Sequence, residues 1–117
     1  MAETKTFPTL QVASCACGII LQDGLSYGDM AEIAEHALGH PVWTHELGDE
    51  KTMNRVRDAI HGAFPQLPTR EEAQADHFAA ADRATAAYGE TINLERGTNE
   101  RTEGPIASLA RMTGGLQ

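Results

Sequence analysis

Two thiols, Cys15 and Cys17, and three imidazoles, His36, His40 and His45, share the first half of the chain with the carboxylate of Glu32. These are the side-chain types that ligate zinc or activate a nucleophile. Their spacing weighs against either use. Zinc knuckles and ribbons place at least two residues between their cysteines so that both thiolates reach one tetrahedral centre, whereas a single residue, Ala16, separates this pair. His36 and His40 stand at i and i+4, but Gly39 and Pro41 flank His40 and take it out of a helix. Cys15, Cys17, His36 and His45 are therefore the candidate set of one reading only, a small metal- or thiol-dependent enzyme. His45-Glu46 lacks the downstream histidine of a metalloprotease helix. The chain has no glycine-rich phosphate loop, no Gly-x-Ser-x-Gly and no basic stretch interleaved with aromatics, so no cofactor is expected and direct nucleic-acid reading has no support.

The elements that would position these groups can be read from turn and cap signals. Phe7 to Leu21 carries β-branched residues on both sides of a glycine, which predicts a hairpin: a strand over Leu10 to Cys15, a turn at Ala16 to Gly18, and a second strand over Ile19 to Gln22 closed by Asp23-Gly24. Ser26 and Asp29 are alternative candidates for the N-cap of a helix with Met30, Ile33, Ala34, Ala37 and Leu38 at helical spacing, ended by Gly39. Val42 to Leu47 reads as a short extended segment. A second helix spans Glu50 to Phe64, with Met53, Val56, Ile60 and Phe64 on one stripe and Arg55, Arg57 and Asp58 off it. Thr69 and Glu72 form a capping box for a long alanine-rich helix that Gly89 closes near Tyr88. Thr91 to Leu94 alternates as a strand that joins the hairpin, and Pro105 opens a final short helix. The expected fold is α+β, a small antiparallel sheet made of an N-terminal hairpin plus one or two short strands, packed against three to four helices. Residues 1–117 form one domain, with 1–6 and 113–117 frayed.

Composition and charge bound what such a domain can do. Hydrophobic residues make up 41% of the chain but aromatics only 5%, so the core is thin and alanine-rich, and a homodimer would add burial that the monomer lacks. The first six residues lack an apolar stretch, and no run is long and apolar enough to span a bilayer. Closely spaced thiols suit a reducing compartment, which places the protein in the cytoplasm. The net charge is −8, and between Thr6 and Glu50 there are seven carboxylates and no lysine or arginine. Such a block repels phosphate and attracts basic surfaces. The expected partner-binding residues are Asp23, Asp29, Glu32, Glu35 and Glu46, with Trp43, the sole tryptophan, near their centre.

Phe7 to Ser14, Gly18 to Leu21 and Gly39 to Leu47 together resemble a family of small uncharacterised proteins of tailed bacteriophages, over the first half of the chain only. The matching features are the opening Phe7-Pro8-Thr9 and the Gly39-His40-Pro41-Val42-Trp43-Thr44-His45 segment; the two cysteines are not part of that pattern. The resemblance implies a phage accessory protein that binds a host protein or nucleoprotein complex with a basic surface, in the manner of inhibitors of CRISPR and other host defences. Its mechanism would be steric and electrostatic occlusion inside the host cytoplasm. The rivals are the thiol- or metal-dependent enzyme above and a structural or assembly component of a virion.

Overall fold

A computed structural model describes residues 3–21, 24–98 and 105–112. In chain order the elements are β1 (Thr4–Pro8), α1 (Thr9–Cys17), α2 (Tyr27–Leu38), a 3₁₀ turn (Thr44–Gly48), α3 (Glu50–Ala63), α4 (Arg70–Ala75), α5 (His77–Tyr88), β2 (Thr91–Glu95) and α6 (Pro105–Met112). The architecture is α+β: β1 and β2 make a two-stranded antiparallel sheet, with Phe7 opposite Ile92 and Lys5 opposite Leu94, and the helices pack beside it.

The predicted N-terminal hairpin is a helix. Every residue from Val12 to Cys17 is buried, and so is Thr9, so α1 is apolar around most of its circumference and shows no helical stripe in sequence. A short apolar run buried on all sides does not distinguish strand from helix by periodicity. Small side chains, Ala13, Ser14, Cys15 and Ala16, let α3 and α5 pack close against it. Gly18, read as the hairpin turn, is instead the left-handed C-cap at φ 75°, ψ 15°, its N–H donating to Ser14 O. Ile19 to Leu21 is irregular rather than a strand, and Gln22 lies outside the described residues. The partner of β2 is β1, which begins at Thr4 within a segment expected to fray; Met1, Ala2 and residues 113–117 are outside the described residues.

Two further boundaries differ from expectation. Thr44–Gly48 winds into a 3₁₀ turn rather than an extended segment, because the Glu46 carboxylate turns back to accept the Trp43 N–H at 3.0 Å. The long alanine-rich helix breaks at Asp76, which is extended at φ −161° and whose carboxylate accepts the Ala79 N–H at 3.0 Å. An aspartate that caps a new helix competes with continuing the old one. Elsewhere the caps stand where the sequence puts them: Ser26 and Asp29 start α2, Gly39 ends it at φ 89°, Thr69 and Glu72 start α4, and Gly89 follows α5. The core joins Phe7, Val12, Ile33, Leu38, Val56, Ile60, Leu67, Ile92 and Leu94, all buried.

Candidate functional site

The carboxylates proposed for partner contact divide between display and internal work. On α2, Asp29, Glu32 and Glu35 recur every three residues and so share one side of the helix. Asp29 accepts the Ser26 N–H at 3.1 Å while Ser26 Oγ accepts the Asp29 N–H at 3.1 Å, a reciprocal cap that leaves the carboxylate half-exposed. Glu32 is exposed and pairs with Lys5 Nζ from β1. Glu35 is half-buried, and its Oε1 accepts the Val42 N–H at 3.1 Å, fastening the segment after Gly39 to the helix. Glu46 is buried inside the 3₁₀ turn. Trp43 is half-buried, with its indole stacked on His45 at a centroid separation of 6.5 Å. Thus Glu35, Trp43 and Glu46 come together around one turn, Asp29 and Glu32 extend the acidic side along α2, and Asp23 lies outside the described residues.

The candidate thiol and metal set is not assembled. Cys15 and Cys17 are both buried and unbridged. Burial, with the neighbouring Cys17 adding to it, pushes the Cys15 thiol up to about 12, and burial raises Cys17 as well. A thiol held above its ordinary range supplies little thiolate at neutral pH, and the thiolate is the nucleophile and ligand. The Cys17 thiol donates to Ile19 O at 3.3 Å. His36 is buried beneath the sheet, its Nε2 bonded to Leu94 O at 2.7 Å and its ring edge-on to Phe7. His45 stands on Trp43 in another turn. Among the described residues no group of three or more His, Cys, Asp or Glu side chains is placed to hold a metal ion.

Three arrangements were not anticipated. His40 is buried, with Nδ1 donating to Pro41 O at 2.8 Å, which leaves Nε2 to accept from Arg55 at 3.1 Å. Asp49 caps α3 and takes both guanidinium nitrogens of Arg111 from α6, at 2.9 and 2.6 Å, plus the Thr52 hydroxyl at 2.6 Å. Arg111 chiefly, then Thr52, hold the Asp49 carboxyl well below the usual carboxylate range against the opposing effect of burial. Asp49 followed by Thr52 is a legible cap, but its partner 62 residues away is not. The third is a cleft of about 220 Å³ beside the C-terminal end of α1, with apolar walls from Ile19, Leu25, Met30, Leu47 and Met53 and with Arg57 and Arg70 on its lining.

The family model described as a domain of unknown function (DUF7736) matches residues 7–70. No curated protein and no solved structure matches the chain. No described helix is long and apolar enough to cross a membrane.

Proposed function

We propose, for a chain that belongs to the DUF7736 family of unknown function, a role in binding: the carboxylate side of α2 covers a basic surface on a protein or nucleoprotein partner. The observation that carries this reading is the run Asp29, Glu32 and Glu35 on one helix side, inside a 6–50 segment that contains no lysine or arginine. Lys5, paired with the exposed Glu32, is the cation next to that stripe and a modest counterweight, since an exposed ion pair is worth little and is screened by salt. Trp43, half-buried and stacked on His45, stands beside the stripe. Glu46 is withdrawn from the contact because it is buried.

In the setting the phage resemblance implies, the partner is a host defence complex, and its nucleic-acid channel is the basic surface most available to an acidic occluding protein. The raised, buried thiols favour this reading over a thiol enzyme. The test is affinity capture from bacterial lysate at low and raised salt, followed by binding measurements on the recovered partner. Glu32→Lys places a cation on the stripe at an exposed position and is expected to weaken binding about tenfold, chiefly through slower association. Binding unchanged in Glu32→Lys and indifferent to salt would refute the electrostatic mechanism.

A further inference from the structure

Arg57 of α3 and Arg70, the first residue of α4, approach one point from two elements: a Cβ built on Gly18 would lie 3.4 Å from Arg57 Nη1 and 3.6 Å from Arg70 Nη1. The two nitrogens are therefore within about 7 Å of each other, a distance at which like charges repel and a shared anion relieves the repulsion. Each guanidinium has five N–H donors. Arg57 Nη2 donates to Asn54 Oδ1, and among the described residues neither arginine forms an ion pair with a carboxylate. Both line the cleft whose walls are Ile19, Leu25, Met30, Leu47 and Met53, and Ile20 on its rim is 58% exposed.

Among the described residues, no carboxylate near this pair forms an ion pair with it. Asp49 lines the cleft but is held by Arg111 and Thr52, the exposed Glu50 lines it too, and Asp58 and Glu71 line an adjoining recess that shares Glu50, Arg57 and Arg70 with the cleft and also holds His61. His61 Nε2 already donates to Ala16 O at 3.1 Å, so one of the last carbonyls of α1 is served without the arginines.

We propose that this cleft binds a small monocarboxylic acid, its carboxylate taken by Arg57 and Arg70 and its short apolar chain lying against Ile19, Met30, Leu47 and Met53. Guanidinium forks match a carboxylate in shape as well as charge. A single negative charge suits a site on a chain of net charge −8, where a multiply charged phosphate meets stronger repulsion from the rest of the molecule. The apolar walls select the acid with a chain over acetate, and the arginines select the acid over the alcohol. This site is separate from the α2 stripe, and either reading can fail without the other.

The experiment titrates the full chain with octanoate, following backbone amide shifts, with 1-octanol and acetate as comparisons. Saturable one-to-one binding is expected, with the largest shifts at Gly18, Ile19, Ile20, Leu47 and Gly48. Arg57→Gln and Arg70→Gln are each expected to weaken octanoate about tenfold, the cost of one charge-assisted contact. Arg70 is exposed, so its substitution leaves the fold intact and keeps the test valid if Arg57→Gln unfolds. Octanol binding as tightly as octanoate, acetate binding as tightly as octanoate, or unchanged affinity in Arg70→Gln would each overturn the assignment.

Discussion

Substituting Gly39 by alanine tests how tightly the C-terminal part of the chain is strapped over α2. Gly39 and Gly18 are both helix C-caps, with backbone angles of 89°, 14° and 75°, 15°, so an alanine at either pays a similar left-handed penalty of about 1 kcal/mol. Their surroundings differ. At Gly18 the added methyl meets the far ends of two arginine side chains at 3.4 and 3.6 Å, ordinary contacts that can adjust. At Gly39 it would overlap the carbonyl carbon and oxygen of Gly97, so the backbone of that segment has to move. That movement breaks the Gly97 N–H bond to His36 O, now 2.9 Å, and strains the adjoining Arg96 N–H bond to Glu3 O at 2.7 Å. Adding the conformational penalty to one or two lost hydrogen bonds and disturbed packing gives about 3–5 kcal/mol for Gly39→Ala against about 1 for Gly18→Ala. In urea, with a slope of about 2 kcal/mol per molar, the Gly39→Ala midpoint falls by about 2 M, while that of Gly18→Ala falls by about 0.5 M. Equal midpoints for the two variants would refute the tight crossing.

Two other perturbations isolate single groups. The Asp49 carboxyl is held below its ordinary 3.8 chiefly by Arg111, so its contribution to stability is complete above that value and is lost as pH falls through the lowered one. Arg111→Gln is expected to cost about 1–2 kcal/mol at neutral pH and to flatten the loss of thermal stability between about pH 5 and pH 2; an unchanged acid limb would contradict the assignment. Thr9 is fully buried and its hydroxyl has no hydrogen-bond partner among the described residues, so Thr9→Val, which keeps the shape, is expected to raise stability by about 1 kcal/mol in chemical unfolding. A loss of stability in that variant would mean the hydroxyl is satisfied.

What was legible in the sequence was its punctuation. Ser26 with Asp29, Thr69 with Glu72, Gly39, Gly89 and Pro105 mark real boundaries because caps satisfy orphan backbone groups locally, within three or four residues. The helix α3 was equally plain, since it buries one stripe and solvates the rest. The N-terminal helix was misread because nearly every side of it is covered, and the glycine that caps it carries the same signal as a hairpin turn. The pairing of β1 with β2 depends on residues more than eighty positions apart, which no local pattern encodes. Of the candidate contact residues, Asp29 was read both as a cap and for display, whereas Glu46 was read for display alone and is taken up by the Trp43 N–H inside the 3₁₀ turn. The arginine pair was invisible because Arg57 reads as a solvated position on α3 and Arg70 as the first residue after a cap; they meet only where α3 and the start of α4 come together beside Gly18.

The boundary of the matched family segment separates the cleft from what holds it in place. Every residue lining the cleft, from Ser14 to Arg70, falls within residues 7–70, whereas β2, the Gly97 strap and Arg111 all lie outside. Those outside residues close over the matched segment at three places: Ile92 and Leu94 bury Phe7, Leu94 and Gly97 bond to His36, and Arg111 clamps Asp49 beside the cleft wall. Recognition and support are thus carried by different parts of one chain. Changes at Arg70 are then expected to act on binding alone, because its side chain is exposed and makes no ion pair among the described residues, while changes at Gly97 act on stability first and reach the cleft only through α2. The Asp49–Arg111 clamp is where the two meet: Asp49 lines the cleft, and its charge is neutralised by a helix from outside the matched segment. Without that guanidinium, a second negative charge would face the carboxylate ligand, so the outer segment sets the sign of the site as well as its stability.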